Sequence, residues 1–219
     1  MLQAWRRITF LHWAYEPAIL RQRLPGGLEL DIFEGVAWVG MTPFMVDGLR
    51  APFLPALPWL SRFPETNVRT YVRGPDGERG VWFFSLDAAR LLAVIGARAG
   101  FSLPYRWARM SVVEEKQIVR YKSFRKSAAT NIEVEVGPEL IENNDFDNFL
   151  TARYRLYTIR AGRLMHAQVE HPPWPLRKAR VRLIEQTLLA SNQLPSPTHE
   201  PFVHFSHGVS TRIGALKQV

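Results

Sequence analysis

A chain of 219 residues is long enough for one well-packed core, or at most two small domains sharing one. With 47% hydrophobic and 12% aromatic residues it is a folding chain, which excludes a disordered one. The lack of cysteine excludes a disulfide framework, a thiolate nucleophile and sulfur-ligated zinc, while the formal charge of +8 admits nucleic acid, anionic lipid or an acidic ligand.

The chain opens on Met1 to Arg7 with no apolar run ahead of a small-residue cleavage site, so no signal peptide is expected. No stretch approaches the roughly 18 apolar residues of a membrane helix, and the expectation is a cytoplasmic protein without membrane contact. Glu16 to Arg23 reads as a short helix stopped by Leu24-Pro25-Gly26-Gly27. Leu28 to Phe33 and Val36 to Val46 read as strands, the second nearly all apolar and so central. Across residues 51 to 64, Pro52, Pro55, Pro58 and Pro64 forbid regular structure. Phe53, Leu54, Leu57, Trp59, Leu60 and Phe63 make that stretch too apolar for a solvated loop. It packs on its own core, covers a pocket as a lid, or meets a partner chain, the last making a homodimer an open possibility.

Thr66 to Arg73 and Gly80 to Leu86, joined by Gly74-Pro75-Asp76-Gly77, form a hairpin signal. Asp87 caps a predicted helix through Ala99, with Leu91, Leu92 and Ile95 on one face. Strand character resumes in Met110 to Val119, Tyr121 to Phe124 and Ile132 to Val136. A short helix at Asp145 to Ala152 precedes a hairpin, Arg153 to Ile159 and Leu164 to Glu170, around Ala161-Gly162. Ala179 to Ser191 reads as a helix and Phe202 to Ile213 as a closing strand. Many strands and few helices, without regular alternation, predict an α+β, strand-rich antiparallel sheet or barrel.

Side chains alternate across a strand, so Glu65, Asn67, Arg69 and Tyr71 share one face while Val68 and Val72 share the other. Such a row can bind a carboxylate or carbonyl ligand through charge-assisted hydrogen bonds; a plain solvent-facing strand is the alternative. With an odd connecting loop Arg69 would lie opposite Ser85 and Asn67 opposite Asp87, bringing Arg69 within diagonal reach of Asp87. With an even loop Arg69 would face Phe84 or Trp82 and the polar cluster would dissolve. No two histidines have His-Glu-x-x-His spacing and no Gly-x-Ser-x-Gly elbow occurs, so neither a metal site nor a serine triad is expected. His12-Trp13, His171 to Pro175 with Trp174, and His204 to His207 are candidate pocket walls, each pairing a titratable group with an aromatic ring.

Several segments in order resemble the YqjF-like family of unknown function: Phe10 to Trp13, Leu24 to Leu28, Gly35 to Gly40, Asn67 to Val72, Gly80 to Asp87, Leu103 to Tyr105, His171 to Leu176 and Val203 to Val209. That family is similar in turn to the acetoacetate decarboxylase superfamily. The resemblance implies a single domain over 1–219, an acetoacetate decarboxylase-like curled sheet closing to a cone-like barrel around a buried pocket with flanking helices. The decarboxylase uses a Schiff-base lysine with a second lysine beside it lowering its pKa. Tyr105 and Arg106 stand where that pair is expected, and residues 1 to 115 contain no lysine. The implied reaction is therefore not imine decarboxylation, and no cofactor is expected.

Two function classes share the pocket. In an enzyme for a small carbonyl or carboxylate compound, Arg69 and Arg106 anchor the anion, Glu65 or Asp87 serves as acid or base, and Tyr105 donates a hydrogen bond. The alternative is a non-catalytic binding protein or sensor for an apolar or aromatic metabolite. Nucleic-acid binding rests on net charge alone. An enzyme of this kind needs a titratable group facing the cavity.

Overall fold

The computed structural model describes residues 1–219. Its first half runs β1 (Leu2–Tyr15), α1 (Pro17–Arg21), β2 (Glu29–Leu30), β3 (Ala37–Arg50), β4 (Phe63–Arg73), β5 (Arg79–Ala88), α2 (Leu91–Phe101) and β6 (Tyr105–Trp107). The second runs β7 (Arg109–Glu115), β8 (Ile118–Arg125), β9 (Ala128–Glu139), α3 (Asp145–Thr151), β10 (Arg155–Arg160), β11 (Arg163–Glu170), β12 (Arg177–Gln186), α4 (Leu188–Ser191), β13 (Phe202–Ile213) and β14 (Lys217–Gln218).

Strands β11, β10, β5, β4, β3, β1 and β13 neighbour one another in that order. The ring closes where β11 returns to β13 through Val169↔Ile213 and Glu170↔Arg212. Pairing is antiparallel except where β5 meets β10 and β6. Beyond β13 the sheet continues as a wing of β12, β9, β8 and β7, which packs on the outside of the ring. Val119, Tyr121, Ile132 and Val134 of the wing share a core with Leu11, Trp13, Met41 and Val68 of the ring. Inside the ring a second set gathers, including Ile8, Phe10, Phe44, Trp174, Leu86 and Leu156. Ring strands thus have apolar contacts on both faces, which is why β1 and β3 are buried along most of their length.

The alternation of β1 is interrupted once. Arg7 takes a positive φ of 50° next to Arg6, which lies opposite Gly208 with φ 123°, and the pairing with β3 shifts by one residue between Arg6 and Leu11. This bulge lets Trp5 and Ile8, three residues apart, both line the interior.

Several elements depart from the sequence expectations. Strand β1 carries no turn signal or clean alternation and is absent from the sequence reading. Leu28 to Phe33 keeps only the two residues of β2 and an isolated bridge from Phe33 to Val36. Residues 110 to 119 divide into two strands at a turn where Lys116 has φ 57°. The predicted helix 179–191 is mostly β12, and only Leu188 to Ser191 is helical. A register shift between Val181 and Leu183 spaces the inward residues Ala179, Val181 and Ile184 by two and then three, a pattern close to helical periodicity. Helix α2 begins four residues after Asp87, which stays in β5 opposite Thr66. Leu91, Leu92 and Ile95 face outward, and Val94 is the residue α2 buries. In the proline-rich segment Phe53, Leu54, Leu57 and Trp59 are exposed rather than packed on the core.

A Cβ at Gly208 would fall 1.9 Å from the Trp5 carbonyl oxygen, at a φ that L-residues disfavour. Gly208→Ala should therefore lower unfolding free energy by more than about 2 kcal/mol in denaturant titration. Gly214→Ala, whose Cβ would meet nothing closer than 3.6 Å, should stay within about 0.5 kcal/mol of the parent.

Candidate functional site

Because β4 alternates between the ring's interior and the wing, Glu65, Asn67 and Arg69 face inward while Val68 joins the outer core. They line a cavity of about 70 Å³, room for about five water-sized groups at roughly 15 Å³ each. Trp5, Phe10 and Trp174 form an aromatic floor, with Trp5 and Trp174 stacked at 6.1 Å and Phe10 edge-on to Trp174 at 5.0 Å. The Trp174 indole N–H is already given to the Thr151 carbonyl at 3.0 Å, so the ring presents only its apolar face. Tyr105 of β6 and Leu103 close one wall, and Arg153, Arg155 and His171 another.

The charges in this cavity are unequal. Arg69 makes no ion pair, its Nε is buried without a partner, and its guanidinium rests over Phe10 at 5.7 Å and Tyr71 at 5.9 Å. Arg153 is buried and pairs with Asp31, donates from Nε to the Phe149 carbonyl at 2.7 Å, and retains a free Nη2. Asp31 also receives Arg73 and Arg79, so its single charge is shared among three guanidinium groups. Arg155 pairs with Asp76 and keeps an unpartnered Nε. Asn67 is 4% exposed and its Oδ1 has no partner. A buried polar group without a partner costs about 1–3 kcal/mol, so four of them converging on one cavity mark a built polar site.

Glu65 is the one carboxyl group of the wall. Burial pushes its pKa up to about 8, the hydrogen bond from Tyr105 opposes that, and the nearby Asp87 charge adds to it. Burial, with the adjacent Glu65, holds the Tyr105 phenol well above its usual range. Tyr105 Oη donates to Glu65 Oε2 at 3.0 Å. At neutral pH the pair is therefore an acid and a phenol, both uncharged, and the acid's own hydroxyl remains to be given to a ligand.

The structure divides the remaining sequence candidates between the two faces of the ring. In the β4–β5 hairpin neither expected register occurs: Arg69 lies opposite Phe83, and a bulge at Phe84 moves Ser85 opposite Val68 and Asp87 opposite Thr66. Phe83 and Leu86 consequently face the cavity. On the wing side, Asp87 pairs with Arg125 at 2.8 Å and Ser85 receives Asn192 at 2.8 Å. Arg106 neighbours Asp87 through the β5–β6 pairing and does not line the cavity. Trp13 lies in the outer core. Tyr71 and His12 lie behind Arg69: Tyr71 Oη donates to the Leu150 carbonyl at 2.8 Å and accepts from His12 Nε2 at 2.6 Å. Burial, and then the Arg69 charge, hold His12 well below its ordinary range, so it is a neutral donor. His204 is turned toward Asp147 at 3.1 Å. The sequence reading did not include Arg153 and Arg155, although their i, i+2 spacing is the signal that exposed Asn67 and Arg69. No lysine lines the cavity, and Glu65 and His171 are joined by no third metal-capable acid or imidazole.

The profile of the DUF2071 family, described as an uncharacterized conserved protein, matches residues 2–210. The chain belongs to this family. The uncharacterized protein YqjF of Bacillus subtilis is 39% identical to this DUF2071 chain over 211 residues, spanning 94% of it and 87% of YqjF. Solved structures similar to it include an acetoacetate decarboxylase-like enzyme from Sphingomonas wittichii, with TM-score 0.68, 14% identity and coverage of 100% of this chain and 92% of that one. The enduracididine biosynthesis enzyme MppR gives TM-score 0.70 and 11% identity, covering 100% of this chain and 87% of the other. The ring and wing are thus the acetoacetate decarboxylase-like fold, as the sequence resemblance implied. No helix of the DUF2071 chain is long and apolar enough to cross a membrane.

Glu65 yields a pH prediction. In the unfolded chain it ionises near 4.5, while in the folded protein it stays protonated to about 8. Folding therefore takes up a proton between those values, and stability falls as pH rises through that window, by about 1 kcal/mol per unit from this group. Glu65→Gln removes the term. The stability difference between Glu65→Gln and the parent should grow in favour of the variant from pH 5 to 8 and then level off. A difference that stays constant across that range in urea titrations would show that Glu65 is ionised in the folded protein.

Proposed function

We propose that this protein binds a small carboxylate-bearing carbonyl compound inside the ring and acts on it without a lysine imine. Arg69 carries the reading: it has no carboxylate partner, in a cavity whose single carboxyl group is held neutral by burial. A guanidinium grips a carboxylate through two parallel charge-assisted hydrogen bonds, each roughly twice as strong as a neutral one. Arg153 and Arg155 reinforce the positive potential without being free to pair fully themselves.

Four residues along β4 from Arg69, the uncharged Glu65 would donate its proton in a hydrogen bond to the ligand's carbonyl oxygen, drawing electron density from the adjoining carbon. Tyr105 orients that acid. A carboxyl group with pKa near neutrality suits general-acid work. MppR, which shares the fold, is described in complex with pyruvate, which supports the oxo-acid class. A second reading, binding without turnover, draws on the aromatic floor of Trp5, Phe10 and Trp174, which would stack on a planar acid.

The test is calorimetric titration of the protein with pyruvate, acetoacetate and benzoate. At least one should bind, and Arg69→Ala should weaken it by a factor of ten or more. Indifference of every bound acid to Arg69→Ala would sink the anion assignment. For pyruvate or acetoacetate, NMR in heavy water should show deuterium entering beside the carbonyl with the parent, solvent water accepting the proton lost from that carbon, and far more slowly with Glu65→Gln. Binding without exchange would favour the second reading.

A further inference from the structure

A second cavity of about 160 Å³ lies beneath α2. Apart from Met1, whose ammonium donates to the Ile213 carbonyl at 2.6 Å, its own wall is apolar: Leu49, Phe63, Ala93, Gly96, Ala97 and Phe101. Glu65, Tyr105, Gln3, Leu103, Leu156 and Ile213 line both this cavity and the arginine-walled one. The two are neighbouring chambers, and the Tyr105–Glu65 hydrogen bond spans their common wall.

The composition of α2 follows from this chamber. A helix resting directly on a sheet buries large side chains on its inner face. Here the large residues Leu91, Leu92 and Ile95 point outward, and Ala93, Gly96 and Ala97, at i, i+3 and i+4, turn toward the chamber. Gly96 is exposed, and a Cβ built on it meets nothing within 4 Å, so the chamber opens to solvent beside the helix. Small side chains at Ala93, Gly96 and Ala97 keep that mouth clear, at a cost in helix propensity at Gly96.

We infer that the chamber under α2 receives the hydrocarbon tail of the acid whose carboxylate Arg69 holds, so that the ligand is an amphipathic, medium-chain acid. The inference rests on the anion reading of Arg69. A charged head needs the polar chamber and cannot enter the apolar one unpaired. A tail of methylenes finds in the apolar chamber a surface to bury, with polar groups only at the shared wall and at the Met1 ammonium, which the Ile213 carbonyl already holds. Passage between the chambers displaces the Tyr105 side chain, whose backbone carbonyl is tied to Arg98 of α2 at 2.7 Å. The same tyrosine thus senses the tail and hydrogen-bonds the acid that faces the head.

Straight-chain carboxylates from acetate to decanoate, titrated calorimetrically into the full-length protein, test this. Affinity should rise about fourfold for each added methylene until the chamber is filled and then stop rising. Gly96→Leu or Ala97→Leu should bring that plateau to a shorter chain while leaving acetate and propionate unchanged, which also reports that the variant is folded. Gly96→Ala should leave the plateau near the parent's. Arg69→Ala should weaken every acid by a similar factor. A flat series whose members remain sensitive to Arg69→Ala overturns the tail chamber and leaves the anion site standing. A rising series that ignores both leucine variants places the tail elsewhere and overturns the inference as well. A series insensitive to Arg69→Ala, or no binding by any acid, overturns the anion site and the chamber together.

Discussion

Seven strands closed into a ring have an inside that is separated from solvent, and every second residue of each strand is committed to it. The closure rests on two residue pairs between β11 and β13, yet it removes the open edges that a sheet of this length would otherwise expose. The wing then covers the outer face. With apolar cores on both sides, a polar side chain buried on a ring strand is cut off from water. It finds a protein partner or remains unpartnered, and Asn67, Arg69 and Arg155 on the cavity wall keep such unpartnered atoms.

The distribution of carboxylates determines which polar groups remain. Asp31 draws Arg153, Arg73 and Arg79 to one point, and Asp87 takes Arg125 on the wing side. The bulge at Phe84 is what sends Asp87 outward; without it Asp87 would not share a face with the wing. The interior retains Arg69 uncompensated, with Glu65 too buried to ionise at neutral pH. An arrangement with a charged Glu65 near Arg69 would be better neutralised but would offer a ligand carboxylate repulsion in place of attraction. On the proposed reading, stability is given up for binding at these positions, a trade common at functional sites.

Much of the fold was legible locally. The place of α3, the turn at Ala161-Gly162 with both φ values positive and the full span of β13 follow from short-range chemistry that a sequence displays, though the α3 cap is the Asn144 amide in a box with Asp147 and not an acidic residue. β12 was misread because a bulge changes the spacing of inward residues from two to three, and periodicity is the signal that separates strand from helix. β1 was not recognised because a strand buried on both faces has no polar alternation to reveal it. Within the site, Glu65, Asn67, Arg69, Tyr105 and Trp174 were placed together from alternation and resemblance. Ser85, Asp87 and Trp13 fall on the other face, since one extra residue in β5 and in β1 reverses every side chain beyond it, and Arg106 does so as the neighbour of Tyr105 in β6.

By itself the sequence determined which chemistry is available: no thiol, no lysine before residue 116, and a strand with an acid, an amide and a guanidinium on one face. Those are properties of residue type and period, and they survive any folding of the chain. Only the tertiary structure decided which of the charges are neutralised, because Asp31 reaches Arg153 across 122 residues and Asp87 reaches Arg125 across 38. It also decided that burial keeps Glu65 protonated and that small residues on α2 face a void. Charge state and cavity shape depend on what surrounds a side chain in space, and no local pattern carries that information.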